Sequence, residues 1–434
     1  MTIHDLVIEN ASYVVTSNPH DEVFENYSIG ITKNKIAAIA PAGTLQAKSH
    51  YDASGKAISP GLINTHTHLA MTLFRGWAEG VDLQGFLERV WAAEGAIMDG
   101  PTAELGTELG ALESLLGGTT TALDMYLFPD FAHKGAVKVG LRHVSGPIFF
   151  DFPGLDGMEW ESRISFAQKW PELLQQIGGP YVPIFLMPHA TYTCSPEHLA
   201  EIADLAESIN ASIHIHASEN AKENLDVSQR YSKTPTEILL ESSILKRNTV
   251  YGHGVQLSES DIAIMAKAKV SVAHCPGSNL KLASGIADIH SYQDSGVMVS
   301  LGTDGCSSSN DLDMWSVMRL AALLISQTQG PEQLSNRQIF RMATIQGAQS
   351  LGMESLIGSI EIGKAADLIA IDLNAPHLIP IHDIYAQLIF AAGRSDICDV
   401  WVDGTHVVKE RQSTRVNFSE LARRVNTGIA ALSR

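Results

Sequence analysis

Ser59-Pro60-Gly61-Leu62-Ile63-Asn64-Thr65-His66-Thr67-His68-Leu69-Ala70-Met71 carries the pattern on which the reading of this chain turns. An apolar, β-branched run enters it, and two histidines one residue apart leave it. In an extended backbone, side chains at i and i+2 share a face, so His66 and His68 are expected to point at one spot near a strand end. Two imidazoles on one face fill a core poorly, because each ring has a nitrogen that needs a partner. Metal binding is the expectation, and the later chain must complete the site.

From about 58 to 357, strand-like and helix-like segments alternate. Helices are predicted over Phe86 to Gly95, Thr102 to Leu116, and Pro196 to Ser208 with Ser195 as its cap. Strands are predicted within Gly117 to Met125, Gly140 to Ile148, Tyr181 to Pro188, Ser212 to His216, Asn248 to His253, Lys269 to His274 and Gly296 to Asp304. With the strand of His66 these number about eight. Repeated strand–helix units of this number favour a closed (β/α)8 TIM barrel over an open sheet. The flanks read differently. Residues 1–57 and 358–434 are short strands and turns, too few at either end for a sandwich. Together they are expected to make one small β-sandwich domain, with a terminal helix, beside a catalytic barrel over 58–357.

His66 and His68, His189, His216, His253, His274 and Asp304 each fall at or just past a predicted strand's carboxyl end. In a barrel those ends share the rim on which active sites are built. His66, His68, His216 and Asp304 offer three nitrogens and an oxygen, a set that suits Zn²⁺, with iron or another divalent ion also accommodated. His214 faces the same side as His216 but lies deeper, as a core or supporting residue. Glu219, three residues past His216, is placed as a proton shuttle, and His253 as a group that orients or deprotonates water. A scaffold that merely held zinc would close the site with four protein ligands and need no such pair.

The chain has 434 residues, with 45% hydrophobic and 18% charged, as in a soluble enzyme with a large core. Its net charge of −18, without a Lys/Arg cluster, argues against nucleic acid and anionic membrane as partners and leaves a small-molecule substrate. The N-terminus carries no signal-like run, and the four cysteines, at 194, 275, 306 and 398, form no close pair. A cytoplasmic protein with free thiols is expected. No dinucleotide-type or Walker glycine loop is present.

Pro60 to Gly76, His216-Ala-Ser-Glu219, Gly252-His253-Gly254, His274-Cys-Pro-Gly-Ser-Asn279-Leu-Lys281 and Gly302-Thr-Asp304 resemble the amidohydrolase superfamily. Within it they are similar to the branch of S-adenosylhomocysteine/5′-methylthioadenosine deaminases, related to the triazine hydrolases. The resemblance covers essentially the whole chain. It implies one zinc ion on His66, His68, His216 and Asp304, acid–base roles for Glu219, His253 and Asp304, and a homo-oligomer, specifically a dimer. Trp91-Ala-Ala-Glu94 resembles a segment whose glutamate binds ribose hydroxyls. Pro188-His189-Ala-Thr-Tyr192 resembles one whose histidine contacts substrate, and Gly140-Leu-Arg142 one near the pocket. Glu94, His189 and Arg142 are therefore the expected substrate-binding residues. The implied reaction is hydrolytic deamination of S-adenosylhomocysteine, 5′-methylthioadenosine or adenosine. The alternatives are a free purine, a pterin, another amino-heterocycle or a triazine. The chain departs from the branch at Ala78 to Leu83, at Ala92 and at Thr191, where proline is usual in the last two places.

Overall fold

The computed structural model describes residues 3–432. Eight parallel strands form the barrel: β1 (Leu62–Thr67), β2 (Thr119–Asp124), β3 in two pieces (Arg142–Ser145 and Ile148–Phe149), β4 (Phe185–Pro188), β5 (Ser212–Ala217), β6 (Thr249–His253), β7 (Ser271–His274) and β8 (Met298–Leu301). Every residue of β1 and β2 is buried, as expected of parallel strands covered by helices outside and side chains inside. Neighbours pair in order from β1 to β8. The ring closes where Asp304 N donates to His66 O at 3.0 Å and Thr65 Oγ1 donates to Leu301 O at 2.9 Å. Gly302 permits this approach, since a Cβ there would lie 2.9 Å from His66 O.

Both chain ends enter one nine-stranded sheet. Lys56–Pro60 runs parallel to Ile3–Val15 and antiparallel to Leu368–Asp372, so the strand that leads into β1 joins the two flanks. Ile8, Val14, Ile29, Ile58, Leu368 and Trp401 form the core of this sandwich. The first strand is longer than the sequence suggests. The runs at Asp5 and Ala11 are one strand, Ile3–Val15, with a register shift between Ile8 and Ala11 and Asn10 at φ 61°. A bulge takes up the polar residue that interrupts the alternation.

Helices follow the strands, and two of them shape the site. The first, Leu83–Ile97, starts earlier than predicted because Asp82 accepts Gly85 N and caps it. It carries Glu94 on its buried side. The second, Pro196–Ser208, spans the predicted residues, but the Ser195 hydroxyl does not cap it. Asp151, from the loop after β3, instead accepts Ser195 N at 2.8 Å and contacts His198 Nδ1 at 2.8 Å. The loop after β3 is thereby tied to this helix. A last helix, Phe418–Gly428, returns to the barrel through Arg424 on Glu108. No described helix is long and apolar enough to cross a membrane.

Candidate active site

His66 and His68 leave β1, His216 ends β5, and Asp304 lies past β8. The structure brings these four together. His66 Nε2 and His68 Nε2 lie 3.4 and 3.2 Å from Asp304 Oδ1, and His216 Nε2 lies 3.3 Å from His68 Nε2. Donors about 2.0–2.1 Å from a tetrahedral zinc are spaced about 3.3–3.4 Å apart. The observed separations match that spacing.

The other nitrogen of each ring fixes its tautomer. His68 Nδ1 faces Met125 O, His216 Nδ1 faces His189 O at 2.8 Å, and His66 Nδ1 faces His214 Nε2 at 2.7 Å. Each Nδ1 donates, so each Nε2 presents a lone pair to the shared point. Among the described residues the fully buried His66 Nε2 has no hydrogen-bond partner. A buried nitrogen without a hydrogen-bond partner, grouped with three other donors, fits a metal ligand. Gly252 keeps the space clear, since a Cβ there would come 3.2 Å from His66 Cε1.

The electrostatics agree. Burial pushes Asp304 up, but His66 and His68 outweigh it and hold the carboxyl well below its usual range. Burial lowers His68, and Asp304 more than reverses this, raising it to about 9. Burial lowers His66 to about 4 and takes His216 well below the ordinary histidine value. The cluster thus favours positive charge beside Asp304, which a divalent cation supplies without protonating the rings. Asp304 Oδ2 accepts the hydroxyls of Ser278 and Ser308 at 2.6 and 2.7 Å, and its Oδ1 accepts Gly305 N at 2.8 Å.

Around this centre lies a cleft open to solvent. Glu219, His253, His189 and Glu94 all line it. His253 Nδ1 contacts Asn279 Oδ1 at 2.9 Å, which leaves Nε2 as an acceptor 3.8 Å from Glu219 Oε2. His253 and Asp304 have φ of 75° and 60°, in the left-handed region that histidine and aspartate enter more readily than most residues. Burial raises Glu219, with His253 opposing it. Burial also raises Glu94, to about 7, against the hydroxyl of Tyr126 and the charge of His68. His189 Nδ1 lies 3.0 Å from Thr193 Oγ1, which itself donates to Ala190 O, so His189 Nε2 faces the cleft as an acceptor. Burial keeps that ring neutral, lowering it to about 3.

Arg142 is a correction. It is expected near substrate, but it opens β3, at the end of the barrel away from the rim. Its buried guanidinium grips both oxygens of Asp367 at 2.8 and 3.0 Å and reaches Tyr181 O and Asp403. His274 ends its strand as expected yet does not line the cleft. Arg75 holds Glu113 and Asn310 O, and Lys281 holds Glu79, Ser307 O and Asn310. Phe86, Leu87 and Trp91 wall the cleft, while Trp77 packs into the core.

Tyr126, Phe150 and Tyr192 complete the lining, and Glu223 supports it from behind. The buried Glu223 carboxylate accepts Glu219 N at 2.8 Å and the Thr191 hydroxyl at 3.3 Å. Tyr126 stands two residues past the end of β2. The rim rule applied to tyrosines would have found it.

A closed barrel with three histidines and an aspartate converging on its rim, beside a buried glutamate and histidine, is a metal-dependent hydrolase. The amidohydrolase family model matches residues 57–407, and the chain belongs to that family. It is 37% identical to a 5-methylthioadenosine/S-adenosylhomocysteine deaminase of Syntrophobacter fumaroxidans, over 97% of each chain. The structure is similar to that of an adenosine deaminase from Xanthomonas campestris with bound zinc, with a TM-score of 0.94 and 34% identity over 99% of each chain. It is also similar to atrazine chlorohydrolase TrzN from Arthrobacter aurescens in complex with zinc, with a TM-score of 0.89 and 26% identity over 98% of this chain and 100% of the other.

Proposed function

We propose that this protein is a zinc-dependent hydrolytic deaminase of an adenosine-type nucleoside, releasing ammonia and an inosine-type product. The observation that carries this reading is that two buried carboxyls with raised pKa, Glu219 and Glu94, share one cleft with the His66–His68–His216–Asp304 cluster. One serves the reacting ring and the other the sugar. The deaminase relative and the zinc-containing adenosine deaminase structure support it.

Zinc held by His66, His68, His216 and Asp304 would supply Lewis acidity and lower the pKa of water toward ~7. Glu219, whose carboxyl burial makes easier to protonate, gives its proton to N1 of the purine and makes C6 electrophilic. His253 Nε2, left as an acceptor by Asn279, takes the proton of the attacking water as its oxygen bonds to C6. The same ring then returns that proton to the amino group. The C6–N bond breaks, ammonia leaves, and the C6 hydroxyl proton goes back to Glu219. Protons and charge balance over the cycle. Glu94 accepts hydrogen bonds from the ribose diol, and the Tyr126 hydroxyl holds it in place.

The deciding experiment is ammonia release from zinc-loaded enzyme on adenosine, 5′-methylthioadenosine, 5′-deoxyadenosine, adenine, guanine and a pterin. Turnover of the nucleosides supports the reading. Turnover of a free base alone would take Glu94 out of a ribose role.

A further inference from the structure

The charge of the cleft decides which nucleosides it accepts. Its floor carries three carboxyls, Glu94, Glu219 and Asp304, and its outer wall is apolar, formed by Leu83, Phe86, Leu87, Trp91, Phe150 and Leu282. Trp91 and Phe152 extend that wall to the mouth, 37% and 43% exposed with ring centroids 6.4 Å apart. Among the described residues no lysine or arginine lines the cleft.

The nearest cations are already engaged. Arg163 lies beneath Phe150, 2% exposed, with both terminal nitrogens on Asp156 and one of them also on Ile148 O. Lys281 is held by Glu79, Ser307 O and Asn310. Beyond Leu83, Leu87, Tyr192 and Leu282 a second cavity adjoins the first, and it is acidic as well, lined by Asp82, Glu223 and Asp226. Its one lysine, Lys222, is paired with Asp226 at 2.5 Å. A 5′ substituent leaving the ribose therefore meets aromatic and aliphatic surface first and carboxylates next.

We infer that this site takes adenosine-type nucleosides with an uncharged 5′ substituent and discriminates against one that ends in a carboxylate. The inference rests on the nucleoside reading above and adds to it the identity of the tail. A methylthio group or a bare methyl buries its surface against Trp91, Phe150 and Leu87 at no electrostatic cost. The homocysteine tail of S-adenosylhomocysteine is a zwitterion: the acidic lining suits its ammonium, but its carboxylate finds no unengaged lysine or arginine there, and the water it loses goes unreplaced. Tail discrimination is then the missing counter-ion for that carboxylate.

The test compares kcat/KM for 5′-methylthioadenosine, 5′-deoxyadenosine, S-adenosylhomocysteine and the N-acetyl methyl ester of S-adenosylhomocysteine, which keeps the tail's length and carries neither charge. The expected result is that the acid falls at least about tenfold below 5′-methylthioadenosine, mostly in KM, and that the ester recovers most of the loss, in keeping with one unpaired charged group. Equal turnover of the acid and 5′-methylthioadenosine, or an ester no better than the acid, overturns the inference and leaves the deaminase reading standing. Silence on all four nucleosides would overturn that reading and this inference with it.

Discussion

His66 Nδ1 lies 2.7 Å from His214 Nε2, and His214 Nδ1 lies 2.9 Å from Val250 O. The carbonyl can only accept, so His214 donates from Nδ1 and accepts at Nε2. His66 must then donate from Nδ1, which leaves Nε2 free for a metal. Burial holds His214 well below the ordinary histidine value, so the relay stays neutral. Replacing His214 by Phe keeps an aromatic ring there and removes the acceptor. Zinc affinity is expected to fall about 10–100-fold, the usual loss when a ligand's outer partner is removed. Competition against a chelating dye measures it, and an unchanged affinity would remove His214 from any role at the metal.

In the proposed mechanism Glu219 belongs to the proton path and not to the ligand set. Glu219→Gln should hold zinc at full occupancy and lose about 10²–10⁴-fold in kcat, the range of a single acid–base group. Metal content and ammonia release on the same sample separate the two. Loss of zinc from the variant would show that the carboxylate is a ligand.

Glu94 gives the pH dependence a definite sign. Burial raises its pKa from an ordinary 4.5 to about 7, so between those values the folded protein holds a proton the unfolded chain has lost. Stability therefore falls as pH rises through that window. Below it the penalty is absent, and above it fully present. Glu94→Gln carries no such charge, so at pH 8 the substrate-free variant should be more stable than the parent by roughly 1–3 kcal/mol. The gap should close below about pH 5, following the ordinary carboxyl range. Thermal melts at the two pH values read this directly. The same group predicts the binding limb: KM for a nucleoside should rise as pH drops below the Glu94 value, and the variant should lack that limb. A pH-independent difference in melting would mean that Glu94 is not buried as a titrating acid.

The sequence shows the site where side-chain direction follows from strand geometry. His66 and His68 are readable because extended residues two apart share a face, and His216, His253 and Asp304 because strand ends share a rim. His274 marks the limit, since it also ends a strand but does not line the cleft. The hydroxyls of Ser278 and Ser308 on Asp304, and Glu223 behind Glu219, were not foreseen. The Ser278 contact joins segments after two different strands, while Ser308 and Glu223 reach back four residues within their own loops, and no period in the sequence encodes either. The sandwich was legible only as a union of two flanks. The Asn10 bulge shows why its first strand looked like two, because a polar residue at positive φ breaks the alternation without breaking the strand.

Arg142 separates a substrate role from a structural one. It opens β3 instead of ending it, and its fully buried guanidinium pairs with Asp367, which precedes a strand of the small sheet. Both groups are out of water, so removing one partner strands the other's charge. Arg142→Ala should cost about 3–5 kcal/mol, as expected for breaking a buried pair. Arg142→Met combined with Asp367→Leu should recover much of that loss, because the unpaired charge goes as well. In both variants kcat/KM of the folded fraction should keep its original value, since neither residue reaches the cleft. Denaturant titration and steady-state kinetics on the same preparations decide the matter. A raised KM in the stable double variant would return Arg142 to the substrate, whereas lost stability with intact kinetics leaves it as the clamp between barrel and sandwich.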